Sequence, residues 1–471
     1  MREIDSREAT TAVAEEPAMN NAGAVGPGRK TLVQEFIPWV MKGGLAIADY
    51  GLISGSNFLL GVLLARWLSP EHYGAYALAF SIYVLVAFLY QAIVLEPLSV
   101  FSGTTYYENL RGYLLTATRL HWGISAVVCF LLGATGVAAA IWWHSSVLAV
   151  AFAGLTIATP FILIHAMARR SFYLRMSPAP AAFASFFYCL LVTGGVFAAY
   201  AAGWLTSFTA YLLMGLAALV SGVIMLFQLN TRLKASGSRP PLPEVWGKHW
   251  EYGKWALGTC VVGWIPNYVY IPLVSSFSGI AAGGELRALM NFSAPLLQTF
   301  AALSMLFLPY AARHQERNEG RKGVTALSWR LTLLFIAGGA IYWAVLIPFR
   351  LRLFQLVYAG KYVECSSLIP IFALETMAWS AALGPAILLR AMESPRSLFF
   401  ANGAASVIAL IMGVPATRYF GLQGVVWSMV VANVVYMIAA FILLSKKVAT
   451  LKDKIHDAEL PVPMPVDEAG Y

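Results

Sequence analysis

The sequence predicts an all-α polytopic membrane protein with twelve transmembrane helices in two six-helix bundles, and three observations carry that prediction. Of 471 residues, 59% are hydrophobic and only 12% are charged, about half the charge fraction usual in soluble domains, and the mean hydropathy is +0.68. The apolar residues fall in twelve runs of 18 to 23 residues, each long enough to cross a hydrocarbon layer of about 30 Å as a helix. The two halves of the chain also echo each other. Because a backbone in lipid must satisfy its own amides, runs of this length are helices, and the short alternating segments of a membrane barrel do not occur. An ordinary soluble enzyme is excluded.

Residues 1–42 mix Arg2, Glu3, Asp5, Glu8, Glu15 and Glu16 with Ala, Thr, Gly and Pro and contain no apolar signal core, so they read as a disordered cytoplasmic arm. Residues 43–229 read as the first bundle, with spans at 46–64, 76–95, 122–143, 147–168, 181–202 and 207–229. Asp49 stands at the start of span one and Asn57 near its middle, and Glu96-Pro97 closes span two. A basic linker, 230–254, leads to the second bundle, 255–445, with spans at 255–276, 289–311, 331–348, 368–389, 398–417 and 422–444. Pro266-Asn267 interrupts span seven, Gln298 lies within span eight, and Glu375 sits about seven residues into span ten. Residues 446–471 form a cytoplasmic tail. Cys129, Cys189, Cys260 and Cys365 form no CxxC pair, so neither a disulfide framework nor a metal site is indicated.

The net charge of +9 invites a nucleic-acid reading, but the placement of the charges argues against such a partner. Besides Arg2 and Arg7, twenty-four Lys and Arg fall on the side of the termini, against six on the other: Arg66, Arg287, Arg350, Arg352, Lys361 and Arg418. Basic residues collect on cytoplasmic loops, so both termini are expected in the cytoplasm, with anionic membrane lipids against the basic loops.

Span four ends Pro160-Phe161-Ile162-Leu163-Ile164-His165-Ala166-Met167 and span ten ends Pro385-Ala386-Ile387-Leu388-Leu389-Arg390-Ala391-Met392, five of eight positions identical. Each is followed by Ser-Pro and then Phe-Ala at the next span. Six spans per unit is an even number, so the halves form a parallel repeat about an axis along the membrane normal, an arrangement of transporters.

Span one and its exit read Asp49-Tyr50-Gly51-Leu52-Ile53-Ser54-Gly55-Ser56-Asn57-Phe58 and then Leu64-Ala65-Arg66-Trp67-Leu68-Ser69-Pro70-Glu71-His72-Tyr73-Gly74-Ala75-Tyr76. This resembles the opening of the Wzx-type polysaccharide repeat-unit flippases of the multidrug/oligosaccharidyl-lipid/polysaccharide (MOP) exporter superfamily. Val357-Tyr358-Ala359-Gly360-Lys361-Tyr362 is similar to the aromatic-Gly-x-x-Tyr segment those proteins carry before span ten. The resemblance covers residues 40–445 and implies a MATE-like V of two bundles around a cavity that opens alternately to each side. It also implies a substrate, an undecaprenyl-diphosphate-linked oligosaccharide for O-antigen, capsule or exopolysaccharide, in the bacterial inner membrane beside polymerase and ligase machinery.

Such movement makes no bond, so no catalytic residue, metal or cofactor is demanded, only coupling to a proton or sodium. Burying Glu375 in mid-bilayer costs roughly 2.5–3.5 kcal/mol on insertion scales; it reads as a coupling group or as a carboxyl joining two helices. Asp49, and Glu96 on the same side, read either as gating or coupling acids or as hydrated groups at the interface. Asn57, Asn267 and Gln298 read as sugar ligands or as helix glue. Arg66 and Arg287 at the outer ends, and His165 and Arg390 at repeat-matched inner ends, read as phosphate contacts or as topology and snorkelling residues. Two rival functions remain at this level. A cation-coupled drug antiporter of the same superfamily shares the architecture, and a membrane polymerase or ligase shares the hydropathy, although the outer loops leave little room for an acceptor domain.

Overall fold

The computed structural model describes residues 32–174, 177–232, 238–316 and 320–450; most of the expected arm, Arg175 and the tail beyond residue 450 lie outside them. All regular structure among these residues is helical. The helix α1, Leu32–Trp67, begins well before the first apolar run, so residues 32–42 are helical rather than disordered. Ser69 accepts a hydrogen bond from the His72 amide and Pro70 takes the first turn of α2, Pro70–Tyr90, a serine cap followed by proline.

Glu96 does not close span two. The chain passes from α2 through a π turn, Gln91–Leu95, straight into α3, Glu96–Gly103, because Pro97 sits in the first turn, where its missing N–H costs nothing. The first half is completed by α4 (Leu110–Ile141), α5 (Ser146–Leu174), α6 (Pro178–Ala201) and α7 (Ser207–Arg232).

Half of the expected linker is also helix, for α8 runs Leu242–Tyr268. It bends by 49° into α9, Tyr270–Ser278, where Pro266 removes a hydrogen bond of the helix ladder. The remaining helices are α10 (Ile280–Glu316), α11 (Gly320–Leu346), a short α12 (Arg350–Tyr358), α13 (Ile369–Ala391) and α14 (Pro395–Ala449).

At 55 residues α14 would be about 80 Å long if straight, far beyond any bilayer. It is a hairpin. Gly421 has φ 54° and ψ −134°, and beyond it the chain returns on itself: a Cβ on Gly424 would lie 2.0 Å from the Ala416 carbonyl oxygen, and one on Gly413 would lie 3.5 Å from Ser428 Oγ. In a continuous helix residues eight apart stand about 12 Å from each other. Among the described residues ten helices are long and apolar enough to span a membrane, and the bent pair α8–α9 adds an eleventh. The second arm of α14 makes the twelfth crossing.

An even number of crossings puts both described ends on one face, here the terminal face; the face where α1 gives way to α2 is the distal face. The repeat is visible in geometry as well as in sequence. Helices α5 and α13 each carry an internal proline, Pro160 and Pro385. Each is followed by a serine at nearly the same backbone angles, Ser177 at φ −121°, ψ 74° and Ser394 at φ −111°, ψ 63°. Helix α5 is the packing centre of the first half and α13 that of the second, joined to their neighbours by small residues: a Cβ on Gly154 would meet the Phe208 backbone at 2.8 Å, the close approach that membrane helices favour.

Candidate functional site

Two stripes of side chains trace the line where the halves meet. On α10 the three-, four- and seven-residue steps of Gly284, Asn291, Pro295, Gln298, Met305 and Pro309 put them on one helical face. Its distal part is closed: Asn291 is buried, and a Cβ on Gly284 would stand 3.0 Å from the Gly74 amide nitrogen. Toward the terminal face the same stripe emerges, with Pro295, Gln298 and Pro309 exposed and Met305 64% exposed.

On α1 the matching stripe runs Tyr50, Ser54, Asn57, Gly61. A Cβ on Gly61 would touch the Asn291 side-chain oxygen at 3.2 Å, Asn57 is half-buried with no hydrogen bond among the described residues, and Tyr50 is 41% exposed. The two stripes are in contact at their distal ends and exposed toward the terminal face.

Along the other flank α8 is sealed to the first half over its length. Trp264 Nε1 donates to the Ser81 carbonyl at 2.8 Å and Cys260 Sγ to that of Phe88 at 3.2 Å. A Cβ on Gly253 would lie 2.8 Å from the Ala92 carbonyl. His249 Nδ1 donates at 2.9 Å to Ile93, inside the π turn, while its Nε2 accepts from the Tyr113 hydroxyl at 2.8 Å. The first half is therefore joined to α8 along this flank, while α1 and α10 meet at Gly61 and Asn291 and carry exposed residues toward the terminal face.

Arg287 stands on the distal part of α10. Its guanidinium lies 4.9 Å from the centroid of the buried Phe80 ring, a cation–π placement. Its Nε is buried without a partner. Tyr268 meets Phe88 edge to face, ring centroids 6.3 Å apart.

The distal closure is polar. Asn291 Nδ2 donates to the hydroxyls of Tyr73 at 3.0 Å and Tyr358 at 3.5 Å, and Tyr358 donates to the Ala288 carbonyl at 2.9 Å. Arg66 is not free to guide a substrate: its Nη1 donates to the carbonyls of Leu356 and Val357 at the end of α12. Lys361 answers from the other half, with Nζ 2.9 Å from the Arg66 carbonyl and 2.7 Å from that of Leu68. Burial holds its ammonium below the ordinary lysine range, which those two acceptors offset.

The expected acids lie elsewhere. Asp49 is fully buried, not hydrated: it pairs with Arg169 Nε at 3.1 Å and accepts hydrogen bonds from Tyr173 and Ser185, tying α1 to α5 and α6. Glu375 accepts from Asn433 Nδ2 at 2.8 Å and so sits between α13 and the returning arm of α14, inside the second half. Glu96 is half-buried and has no hydrogen bond or ion pair among the described residues.

His165 and Arg390 share a repeat position but not a role. His165 is buried in the first half, stacked 5.2 Å from Tyr188 with Nε2 unpartnered, whereas Arg390 is exposed; they form no pair. Asn267 is exposed and spends its amide on its own helix, on the Gly263 carbonyl at 2.9 Å.

Of the expected cavity residues, Asn57 lies on the α1 stripe and Gln298 on the exposed part of the α10 stripe, while Arg287 lies over the Phe80 ring. Asn291, Tyr268 and Lys361 were missed by the sequence reading, although Lys361 and its partner Tyr358 stand in the second of the two quoted motifs.

No protein-family model matches the chain, and no curated protein matches it by sequence. Its fold does match solved structures. A MATE-family multidrug resistance transporter of the MOP superfamily in an inward-facing conformation superposes with TM-score 0.69 at 13% identity, covering 86% of this chain and 98% of that one. The lipid II flippase MurJ in an inward closed conformation follows at TM-score 0.67 and 15% identity, covering 86% and 87%. A MOP superfamily transporter from Pyrococcus furiosus, described as having a binding pocket of reversed polarity, superposes at TM-score 0.62 and 12% identity over 88% and 95%. The fold is that of MOP superfamily transporters.

Proposed function

We propose that this chain is a transporter that carries a polyprenyl-diphosphate-linked oligosaccharide across the bacterial inner membrane by alternating access, from the cytoplasmic leaflet to the outer one. The reading rests on the α10 stripe, dry at Asn291 and exposed at Pro295, Gln298, Met305 and Pro309, which with the facing α1 stripe would line a hollow that opens sideways between α1 and α10 and is closed along α2 and α8. A prenyl tail in lipid needs a side slot, and a diphosphate with several sugars needs a hydrated interior. Arg287, with its unpartnered Nε, supplies charge for the diphosphate; Asn57, Gln298, Tyr50 and Tyr268 supply hydrogen-bonding edges for sugars. The excess of basic residues on the terminal face assigns that face to the cytoplasm.

The architecture is shared with drug antiporters, but a guanidinium facing the hollow repels cationic drugs, and this charge favours an anionic headgroup. Movement alone requires no bond chemistry, and the fold's neighbours are transporters. Surface-glycan polymerase and ligase machinery would use the product. Glu375, held at Asn433, is the coupling group for a proton or sodium.

The test is headgroup translocation in proteoliposomes loaded with a fluorescent polyprenyl-diphosphate oligosaccharide and assayed across pH and sodium. Wild-type protein moves the headgroup; Arg287→Gln slows it at least about tenfold, the scale of one lost charge-assisted contact; Glu375→Gln moves it without dependence on pH or sodium. Efflux of a cationic dye with no headgroup movement would replace this reading with antiport.

A further inference from the structure

We infer that Arg66 and Lys361 form a reciprocal latch that holds the distal gate shut and sets the balance between the two access states. The inference rests on the alternating-access reading above and adds the device that controls it.

A helix ends in carbonyl oxygens with no partner inside the helix and carries partial negative charge there. Two such ends meet at the distal face, that of α1 in the first half and that of α12 in the second. Each is capped by a cation from the other half: Arg66 on Leu356 and Val357, and Lys361 on Arg66 and Leu68. Neither end can be satisfied by its own half in this way, so the contacts exist only while the halves are together.

Both partners are anchored to their own bodies. Trp67, next to Arg66, stacks on Tyr200 with centroids 4.3 Å apart and meets Phe197 at 4.8 Å, fixing the end of α1 to α6. Phe292 holds Phe354 at 4.9 Å and Tyr358 at 5.6 Å, fixing α12 to α10. Breaking the latch therefore separates two bodies rather than fraying a loop.

The turn that delivers Lys361 is held in a costly conformation. Ala359, Gly360 and Tyr362 all have positive φ, of 54°, 82° and 61°, and for Ala and Tyr the left-handed region is disfavoured by the Cβ. The strain brings the ammonium over the last carbonyls of α1. This also gives a physical reason for the two quoted sequence segments: Arg66, Leu68 and Tyr73 of the first, and Tyr358, Lys361 and Tyr362 of the second, are parts of one gate.

The native thiol of Cys365 reports on the gate. It is 6% exposed, three residues past Tyr362, and its amide donates to the Tyr362 carbonyl at 3.0 Å. In full-length protein reconstituted in liposomes, with Cys129, Cys189 and Cys260 replaced by serine, maleimide labelling of Cys365 should rise about tenfold in Lys361→Gln and in Arg66→Gln, the scale of one lost hydrogen bond to a charged group. Lys361→Arg should label at the parent rate. Opening the distal gate closes the hollow at the terminal face, so a cysteine at Gln298, in a further background with Cys365→Ser, should label more slowly in the same latch variants.

Parent-rate labelling in folded Lys361→Gln and Arg66→Gln would overturn the latch. So would faster labelling of Cys365 alone, which marks local fraying. If one variant fails to fold, the other decides. The readout needs no substrate, so a failed translocation assay and a failed latch are separate outcomes.

Discussion

A buried carboxylate shows how little a single residue discloses of its surroundings. Asp49 stands six residues into the described membrane part of α1, where a charged group is cheap if water reaches it. Water does not: the side chain is fully buried and is satisfied by Arg169, Tyr173 and Ser185, which lie 120 to 136 positions away. Removing one member of a buried ion pair strands the other. Asp49→Asn should therefore lower the unfolding free energy in detergent by about 3 kcal/mol, read by thermal or denaturant unfolding. An unchanged transition would show that Arg169 finds another acceptor. The depth of Asp49 was readable because apolar run length fixes depth; its partners were not, because they come from other helices. His165 and Arg390 make the same point, since equal repeat positions left one buried in its half and the other exposed.

At the scale of the element, hydropathy was read well and chain direction was not always visible. The twelve apolar runs each became a crossing, including the two in α14, where only Gly421 and the short gap between runs hinted at a turn. The tightness of that turn depends on Gly424, whose Cβ position falls 2.0 Å from a backbone carbonyl. Backbone cannot step aside as a side chain can, so Gly424→Leu should cost several kcal/mol, above the ~1–3 kcal/mol of ordinary overpacking, and should abolish monodisperse protein in detergent. Gly403→Ala on the same helix, with open space around its Cβ position, should leave thermal unfolding unchanged. Helix ends were legible only where capping chemistry marks them, as at Ser69-Pro70. Pro97 misled because proline in a first turn looks from sequence like a stop, and the helical start of residues 32–42 was missed because Gln34, Glu35, Pro38 and Lys42 interrupt its apolar residues.

At the scale of the whole molecule the proposed working feature is an asymmetry, one flank closed by α2 and α8 and the other opening between α1 and α10. Gln298 stands at the opening, exposed and away from the closed part of its stripe. Gln298→Trp should therefore fold with unchanged stability, since exposed substitutions cost within about 0.5 kcal/mol. It should nevertheless slow headgroup movement in the liposome assay severalfold by narrowing the slot. Equal rates would mean that the headgroup passes elsewhere.

By itself the sequence determined that the chain lives in a bilayer, how many times it crosses, and that it was built twice over, because each of these follows from local run length and short-range composition. Only the tertiary structure decided which polar groups are consumed inside a half and which stand exposed along the two stripes, and that Arg66 and Lys361 clasp opposite helix ends. Those facts depend on contacts between residues hundreds of positions apart, which helix packing chooses and local periodicity does not record.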